Sequence, residues 1–186
     1  MFSAQKGADR TVSHELYLAR HATPDMTRTD IAYAVPPGPP LSAVGVTEAQ
    51  MLGRFLRAAG VVHVYASPFA RAHRTAEIVA SDSIPVVVEH DLGEWREHER
   101  GRDVVARVEP LLTRVQRQHA RADAVCLVSH GGVISVMLRK LGMDREVVDA
   151  HCHNYGGGTP MPPAGVWRAV RTDEASPWQF DLVFTP

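Results

Sequence analysis

Arg20 and His21 are adjacent near the start of the chain, and together they could bind a negatively charged group and react with it. The apolar run that leads to them, residues 16–20, predicts a buried strand. A strand that ends here puts a cation and a nucleophile or base at the edge of a sheet, where open α/β sheets bind their ligands. One such pair establishes little by itself, so the question is whether other strands carry similar residues to the same edge.

Three further groups with suitable chemistry follow the next three apolar runs of the chain. They are Arg71, Glu94, and His130 with Gly131 and Gly132. Parallel strands that are joined by right-handed crossovers end at the same edge of their sheet, so all four groups are expected there. The edge would then hold two arginines, two histidines, a carboxylate and the amide donors of a glycine-rich helix N-terminus. That combination suits an anion with several oxygens, most simply a phosphoryl group.

Each of these groups also has an ordinary explanation when it is taken alone. An arginine at a sheet edge is more often a surface or salt-bridge residue, and a glutamate in a charged loop is usually solvated. A histidine before two glycines is compatible with a tight turn between a strand and a helix. Their placement after four successive strands is what favours a shared site.

Alternating strands and helices must position these residues, and the apolar pattern predicts both. Strands are expected over residues 16–20, 61–66, 84–89 and 124–129, with a final pair over 166–172 and 178–184. Helices are expected over residues 43–59, 67–80 and 131–141, and from Asp103 onward. This alternation predicts one α/β domain over residues 1–186, a three-layer α/β/α sandwich with a mostly parallel central sheet. Residues 1–13 are expected to be frayed.

Local residue patterns indicate where the helices begin and where loops lie. Ser67, which is followed by proline, and Asp103 are the predicted N-caps of the second and third helices. Pro110 should kink or divide the long third helix. Two segments are rich in turn-forming residues, namely 24–40 and 149–165.

The overall composition is that of a soluble globular protein. Of the 186 residues, 45% are hydrophobic and 22% are charged, and the formal net charge is -1. A charge so near zero favours neither nucleic acid nor an anionic membrane as a partner. Cys126 falls in an apolar run far from the second cysteine, so no structural disulfide is expected. No apolar run reaches transmembrane length and no signal-peptide region is present, so the expected location is cytoplasmic.

Five short motifs resemble those of one known family, the histidine phosphatase superfamily, also called phosphoglycerate mutase-like. In chain order they are Arg20-His21-Ala22, Leu41-Ser42-Ala43-Val44-Gly45, Ser67-Pro68-Phe69-Ala70-Arg71-Ala72 with Thr75-Ala76, Leu92-Gly93-Glu94, and Ser129-His130-Gly131-Gly132. The first is similar to the family's Arg-His-Gly signature, and the third and fifth are the most specific. They occur in family order over residues 14–142, so the resemblance implies a phosphoglycerate mutase-like fold.

The resemblance and the chemistry of these side chains imply the same reaction, hydrolysis of a phosphomonoester. His21 would attack phosphorus and form a phosphohistidine, which divides one difficult displacement into two easier ones. Arg20 and Arg71 would bind the phosphoryl oxygens, and His130 would donate a further hydrogen bond to them. Glu94 would protonate the leaving alkoxide and then deprotonate the attacking water.

Some positions extend the resemblance and others depart from it. Thr27 stands where the family often has a phosphate-contacting asparagine, and the amide of Gly131 would act like an oxyanion-hole donor. Ala22 replaces the family glycine, which it can do if its φ angle is negative. The Trp-Glu-Gly that usually follows the acid is missing, so the loop after Glu94 is expected to differ. The implied reaction requires no metal and no other cofactor.

Three alternative functions remain open on the sequence alone. A phosphomutase of the same family would share the first step, but the segment from Glu94 to His130 is mostly one helix and lacks the longer insertion of the mutases. A non-catalytic protein that binds phosphorylated ligands is compatible with the irregular acid loop. A metalloprotein is suggested by His151-Cys152-His153, since alternate residues of an extended segment share a face.

The same reasoning gives expectations for the partner and the pocket. The partner is expected to be a phosphorylated small molecule or a phosphoprotein, bound by a monomer or a homodimer. The proline-rich loop 24–40, with Tyr33, is expected to wall one side of the pocket, and residues 151–159, with Tyr155, the other. Trp95 could equally pack in the core or line the pocket.

Overall fold

The computed structural model describes residues 14–119, 123–155 and 158–186. The predicted frayed segment 1–13 lies outside the described residues. The described strands are β1 (His14–Arg20), β2 (Val61–Ala66), β3 (Val86–Val88), β4 (Ala124–Ser129), β5 (Val166–Arg171) and β6 (Gln179–Phe184). The described α-helices are α1 (Ala43–Ala58), α2 (Ala70–Ala80), α3 (Gly101–Gln118), α4 (Gly131–Lys140) and α5 (Arg145–Tyr155).

The strands form one six-stranded sheet in the order β3-β2-β4-β1-β5-β6. The first four strands are parallel to one another, while β5 runs antiparallel to β1 and β6 antiparallel to β5. Since parallel strands need crossover connections, helices connect the first four strands, whereas β5 and β6 form the expected hairpin. The prediction of a mostly parallel sheet is confirmed.

Two apolar cores, one on each face of the sheet, complete three layers. Leu16 and Leu18 of β1 point into a core built with α3, α4 and α5. Tyr17 and Ala19 point to the opposite face, where they pack with α1 and α2. Alternate residues of β1 are therefore buried on both sides, which explains why the strand reads as a continuous apolar run. The predicted α/β/α sandwich is confirmed.

The starts of α2 and α3 differ from their predicted N-caps. The N-cap of α2 is Phe69, two residues after Ser67, and it makes no side-chain capping hydrogen bond. The Ser67 hydroxyl accepts a 3.3 Å hydrogen bond from the amide of Phe69 and lies 2.8 Å from Nε2 of His130. Asp103 lies three residues into α3 and accepts a 2.8 Å hydrogen bond from the amide of Arg100, which is the N-cap. Asp103 is thus one half of a capping box, so its sequence signature placed the N-cap three residues late.

The chain is helical at two places where a break or a loop was among the expectations. Pro110 does not divide α3, which runs without a break from Gly101 to Gln118. Residues 149–155 are helical instead of turn-forming, because α5 is capped by a 2.7 Å hydrogen bond from the amide of Glu146 to Asp144. Only Val148 of α5 is buried, so the helix has no apolar stripe to reveal it. No helix among the described residues combines the length and the apolarity that a membrane span requires.

Candidate active site

The carboxyl ends of the central strands meet, as predicted, beside a cavity of about 490 Å³. Arg20, the last residue of β1, is paired in register with Ser129, the last residue of β4. The amide of His21 donates a 3.0 Å hydrogen bond to the Ser129 carbonyl, and the amide of Ser67 donates one of the same length to Val128. The ends of β1, β2 and β4 are therefore fixed beside one another by backbone hydrogen bonds.

His21 is buried, and its hydrogen bonds define its tautomer. Nδ1 lies 2.8 Å from the carbonyl oxygen of Ala22, so it must carry the proton, because a carbonyl only accepts. Nε2 accepts a 3.2 Å hydrogen bond from Nε of Arg71, so it presents its lone pair. Burial, followed by the charges of His130 and Arg71, holds the pKa of His21 well below its usual range. A neutral imidazole with a lone pair at Nε2 is a nucleophile.

The backbone after His21 is held by two threonines. The amide of Ala22 donates a 3.0 Å hydrogen bond to Oγ1 of Thr75, which donates in turn to the carbonyl of Arg71 at 2.7 Å. Thr23 donates from its amide and its hydroxyl to Glu48 of α1, at 2.7 and 2.9 Å. Among the described non-glycine residues only Ser81 and Ala164 have positive φ angles, so Ala22 needs no glycine-like conformation.

Arg71 is fully buried at the centre of the cluster. Its Nη2 donates to the Glu94 carboxylate at 3.1 Å, and its Nη1 donates to the Tyr33 carbonyl at 3.1 Å. The guanidinium stacks on the rings of Tyr33 and Phe69, at 4.2 and 4.7 Å from the ring centroids. Burial lowers the pKa of Arg71 while Tyr33 and Glu94 oppose that shift, and an arginine side chain stays charged in proteins. The cluster is therefore organised around one fixed positive charge.

Glu94 and His130 form a contact pair beside that charge. Nδ1 of His130 lies 3.2 Å from Oε2 of Glu94, and its Nε2 lies 2.8 Å from Oγ of Ser67. Burial lowers the pKa of His130, and Glu94 partly opposes this shift. Burial alone would raise the pKa of Glu94, but the contacts with His130, the amide of Trp95 and Arg71 lower it to about 2. Because Arg71 and the amide act in either state of His130, Glu94 is an ionised carboxylate here.

The two neighbouring glutamates have different surroundings. Glu99 accepts hydrogen bonds from Arg107 at 2.8 and 3.0 Å, and its backbone carbonyl accepts one from the Trp95 indole at 2.8 Å. Glu97 is exposed. Of the three, Glu94 is the glutamate that contacts the histidine and arginine cluster.

Arg20 extends from the end of β1 along another side of the cavity. Its Nη1 donates to Oγ1 of Thr159 at 3.3 Å and to the carbonyl of Met161 at 3.1 Å. Its Nε is buried without a hydrogen-bond partner among the described residues. A buried N–H with no acceptor is costly, so this donor suits an anionic ligand in the cavity.

The N-terminus of α4 supplies the glycine amides that the sequence predicted. His130 is its N-cap, and Gly131 and Gly132 begin the helix and line the cavity. The amides of a first helical turn have no intrahelical acceptor and attract anions. A Cβ atom on Gly131 would lie 2.3 Å from Cγ2 of Thr159. Glycine is thus required here for Thr159 to approach and contact Arg20.

Thr27 is the one predicted site residue that the structure does not bring into the cluster. It is exposed, and its hydroxyl donates to Asp25 at 2.6 Å. Tyr33 of the same loop lines the cavity instead, together with Trp95, Tyr155 and Thr159. Tyr33 of loop 24–40, and Tyr155 and Thr159 of segment 151–159, therefore line the cavity on the sides expected for these segments.

Sequence reasoning missed the supporting roles of Ser67, Thr75 and Thr159. Ser67 and Thr75 lie within a recognised motif, but their hydrogen bonds to His130 and Ala22 join distant parts of the chain. Thr159 lies in a segment rich in glycine and proline, and no pattern there points to Arg20. Trp95 has both of its expected roles, because it lines the cavity and also packs against the core of α3 and α4.

One group of potential metal ligands lies within the described residues. His21, Glu94 and His130 have ligand atoms within 4.8 Å of one another. Arg71 is hydrogen-bonded to each of them, at 3.1 to 3.2 Å, so a bound cation would face a fixed positive charge. This donor set fits an anion better than a metal ion.

The His151-Cys152-His153 segment does not form the metal site that an extended chain would allow. These residues lie on α5, where neighbours two positions apart point in different directions. His151 packs edge-on against Trp167 at 4.8 Å, Sγ of Cys152 lies 3.6 Å from Oγ of Ser135, and His153 is exposed. The assumption of an extended segment was wrong.

Comparisons with solved structures find the same fold in proteins of low sequence identity. A mycobacterial glucosyl-3-phosphoglycerate phosphatase superposes with a TM-score of 0.69 at 20% identity, over 91% of this chain and 98% of that one. A phosphoglycerate mutase from Bacillus anthracis gives 0.72 at 17% identity, over 94% of both chains. An alpha-ribazole phosphatase from Shigella flexneri gives 0.64 at 23%, over 84% of this chain and 90% of that one.

Sequence comparisons give the family itself. No curated protein sequence matches the chain. The family model for the histidine phosphatase superfamily (branch 1) matches residues 16–97 and 96–156, which include Arg20, His21, Arg71, Glu94 and His130. Because this match covers most of the chain, the protein belongs to the histidine phosphatase superfamily.

Proposed function

We propose that the protein is a metal-independent phosphatase that hydrolyses a phosphomonoester through a phosphohistidine on His21. One observation carries the proposal: the lone pair of Nε2 of His21 faces the buried guanidinium of Arg71 at 3.2 Å. The tautomer and the low pKa make His21 a nucleophile, and Arg71 attracts the phosphoryl group to it.

In the first step, phosphoryl oxygens take the place of the Glu94 carboxylate on Arg71. Arg20, through its Nε, and the first amides of α4 add donors on other sides of the group. Nε2 of His21 then attacks phosphorus in line, and the bond from phosphorus to the ester oxygen breaks. The leaving alkoxide takes a proton from Glu94, so the step yields an alcohol and a phosphohistidine.

Glu94 gains its proton because the substrate removes the contacts that keep it ionised. In the ligand-free site the contacts with His130, the amide of Trp95 and Arg71 lower its pKa to about 2 against the effect of burial. A bound phosphoryl dianion takes over Arg71 and His130 and adds negative charge nearby, so the pKa of Glu94 rises. In the second step Glu94 removes a proton from water, whose oxygen attacks phosphorus and releases phosphate from His21.

A phosphatase is preferred to a phosphomutase because little covers the cavity. Between Glu94 and His130 the described chain forms only α3 and β4. Tyr155, on the opposite wall, is 41% exposed. Water can therefore reach the phosphohistidine, which favours hydrolysis over return of the phosphoryl group to an alcohol.

A panel of phosphomonoesters tests the proposal. It includes the esters that the neighbours' names specify, and inorganic phosphate and transferred phosphate are measured separately. Wild type and His153→Ala, which alters an exposed histidine outside the cavity, are expected to release phosphate, and His21→Ala is not. Transfer to a second alcohol without phosphate release would identify a mutase. Binding without either reaction would identify a phosphate-ligand-binding protein.

A further inference from the structure

Two described arginines at the cavity, Arg71 and Arg20, are held where the phosphoryl group would bind. Arg71 contacts His21, Glu94 and Tyr33. Arg20 is the other, and its Nη1 is fixed by Thr159 and Met161. Among the described residues, no other lysine or arginine side chain lines the cavity to pair with a second anionic group on the ligand.

Two exposed arginines that lie near the aromatic wall residues in sequence do not change this balance. Arg28, in the loop of Tyr33, is exposed and pairs with Asp30 at 2.8 Å. Arg96, next to Trp95, is exposed and lies 3.9 Å from Glu99. Neither lines the cavity. A second carboxylate or phosphate in the cavity would therefore be desolvated without a cationic partner among the described residues.

Beyond the phosphoryl end, the wall of the cavity is aromatic. Tyr33, Trp95 and Tyr155 line it from three separate segments of the chain. The indole N–H of Trp95 donates to the carbonyl of Glu99 at 2.8 Å, so its polar atom is already satisfied. Its six-membered ring lies over Gly132, where a Cβ atom would come within 3.3 Å of Cε3. Trp95 thus offers a fixed hydrocarbon surface next to the amides that would bind the phosphoryl group.

The cavity is also large enough for more than a phosphoryl group. Its volume of about 490 Å³ lies within the range of pockets that enclose whole small-molecule ligands. Flat rings pack favourably on aromatic walls, with attraction beyond the effect of buried area. The volume of the cavity, its lack of a further described cation and its aromatic wall therefore all favour a ligand with an uncharged ring beyond the phosphoryl group.

Resting on the proposed phosphatase activity, we infer that the substrate is the monophosphate ester of an uncharged alcohol with a flat aromatic ring. The phosphoryl group binds Arg20, Arg71 and the N-terminus of α4. The ring packs against the wall formed by Trp95 and Tyr155. Esters that carry a second anionic group on the alcohol are rejected.

The rates of hydrolysis of three matched esters test this inference. The esters are benzyl phosphate, para-carboxybenzyl phosphate and ethyl phosphate. The expected kcat/KM for the benzyl ester exceeds that for the ethyl ester about tenfold or more, because a ring is buried. The carboxylated ester should fall about tenfold or more below the benzyl ester. Equal values, or preference for the carboxylated ester, would overturn the inference while leaving the phosphatase intact.

Phosphonates that cannot be hydrolysed separate recognition from catalysis. Calorimetric binding of phenethylphosphonate, its para-carboxy derivative and propylphosphonate should follow the same order of affinity. If that order holds and no ester is hydrolysed, the proposed activity fails and the ligand class stands. If esters are hydrolysed and the phosphonates bind equally, the inference fails alone.

The variant Tyr155→Ala tests whether the ring of the ligand packs against Tyr155, and Asn154→Ala is its control. Tyr155 is exposed and lines the cavity, whereas Asn154 is exposed and does not line it. Tyr155→Ala should weaken phenethylphosphonate binding about two- to tenfold and leave propylphosphonate unchanged. Asn154→Ala should match wild type with both ligands. An equal effect of Tyr155→Ala on the two phosphonates would contradict the assigned wall.

Discussion

In the proposed mechanism Glu94 and the phosphoryl group compete for the same partners, which makes this carboxylate the informative residue of the site. Its contacts with Arg71 at 3.1 Å and His130 at 3.2 Å place it where an anionic ligand would bind. A carboxylate with a pKa of about 2 cannot donate a proton near neutral pH. Its role as an acid therefore depends on the substrate displacing it, and this dependence can be measured.

Replacement of Glu94 tests its role as the acid. Glu94→Gln should lower kcat/KM for an alkyl phosphate about 10²- to 10⁴-fold, because the alkoxide loses its proton donor. The loss should be much smaller for nitrophenyl phosphate, whose leaving group needs no proton. The two substrates are compared by phosphate release under the same conditions.

Glu97→Gln is the matched control, since Glu97 is exposed and three residues away. It should behave like wild type on both substrates. If Glu94→Gln loses the same factor on the alkyl and the nitrophenyl ester, Glu94 is not the general acid.

At the scale of elements, the start of α4 and the segment after α5 can pack this closely only because residue 131 is a glycine. Thr159 holds Arg20 and lies where the side chain of any larger residue at position 131 would be. The start of α4 thus leaves room for the segment that positions Arg20, and in the proposed mechanism its amides also bind the phosphoryl group.

Gly131→Ala tests this fit. The added Cβ would lie 2.3 Å from Thr159, so Thr159 and with it Arg20 must move. We expect kcat/KM to fall about tenfold or more and the melting temperature to fall, consistent with a cost of overpacking of about 1–3 kcal/mol. Activity assays and thermal unfolding measure the two effects.

Gly101→Ala is the control for the loss of a glycine at a helix start. Gly101 begins α3, and a Cβ there meets no atom within 4 Å. This variant should keep full activity and wild-type or slightly higher stability. Gly131→Ala with wild-type activity and melting temperature would refute the packing argument.

For the whole molecule, the buried histidines make stability depend on pH. Burial lowers the pKa values of His14, His21, His119 and His130. Below pH 6.5 the unfolded chain therefore binds more protons than the folded chain, and stability decreases as the pH falls. The lowered pKa of Glu94 acts in the same direction at lower pH. Its stabilisation is present above about 4.5 and is lost towards about 2.

His21→Asn should make that pH dependence shallower. A histidine that stays neutral in the fold contributes a slope of up to about 1.4 kcal/mol per pH unit below its unfolded pKa. The free energy of unfolding of the variant, measured in urea between pH 7 and pH 5, should lack this contribution. Parallel curves for wild type and variant would show that folding does not lower the pKa of His21.

The fold was largely predictable because its central strands are buried on both faces. β1 and β4 read as continuous apolar runs and β2 as a run rich in β-branched residues, and the residues predicted to follow them, His21, Arg71 and His130, lie together in the structure. α5 was missed because it buries only Val148. Ser67 was taken for a helix cap because Ser-Pro is a helix-start signature, whereas its hydroxyl contacts His130 across the chain. A contact of this kind joins residues that are distant in sequence and close only in the folded protein, so a local sequence pattern cannot predict it.

The most direct test of the account is transfer of the phosphoryl group to His21. Wild-type protein is mixed with a hydrolysable phosphomonoester, quenched during turnover and mapped by peptide mass spectrometry. The account predicts one added phosphoryl group on the peptide that contains His21, in wild type and in the His153→Ala control, and none in His21→Ala. Turnover in wild type without any phosphorylated His21, or undiminished turnover by His21→Ala, would contradict it.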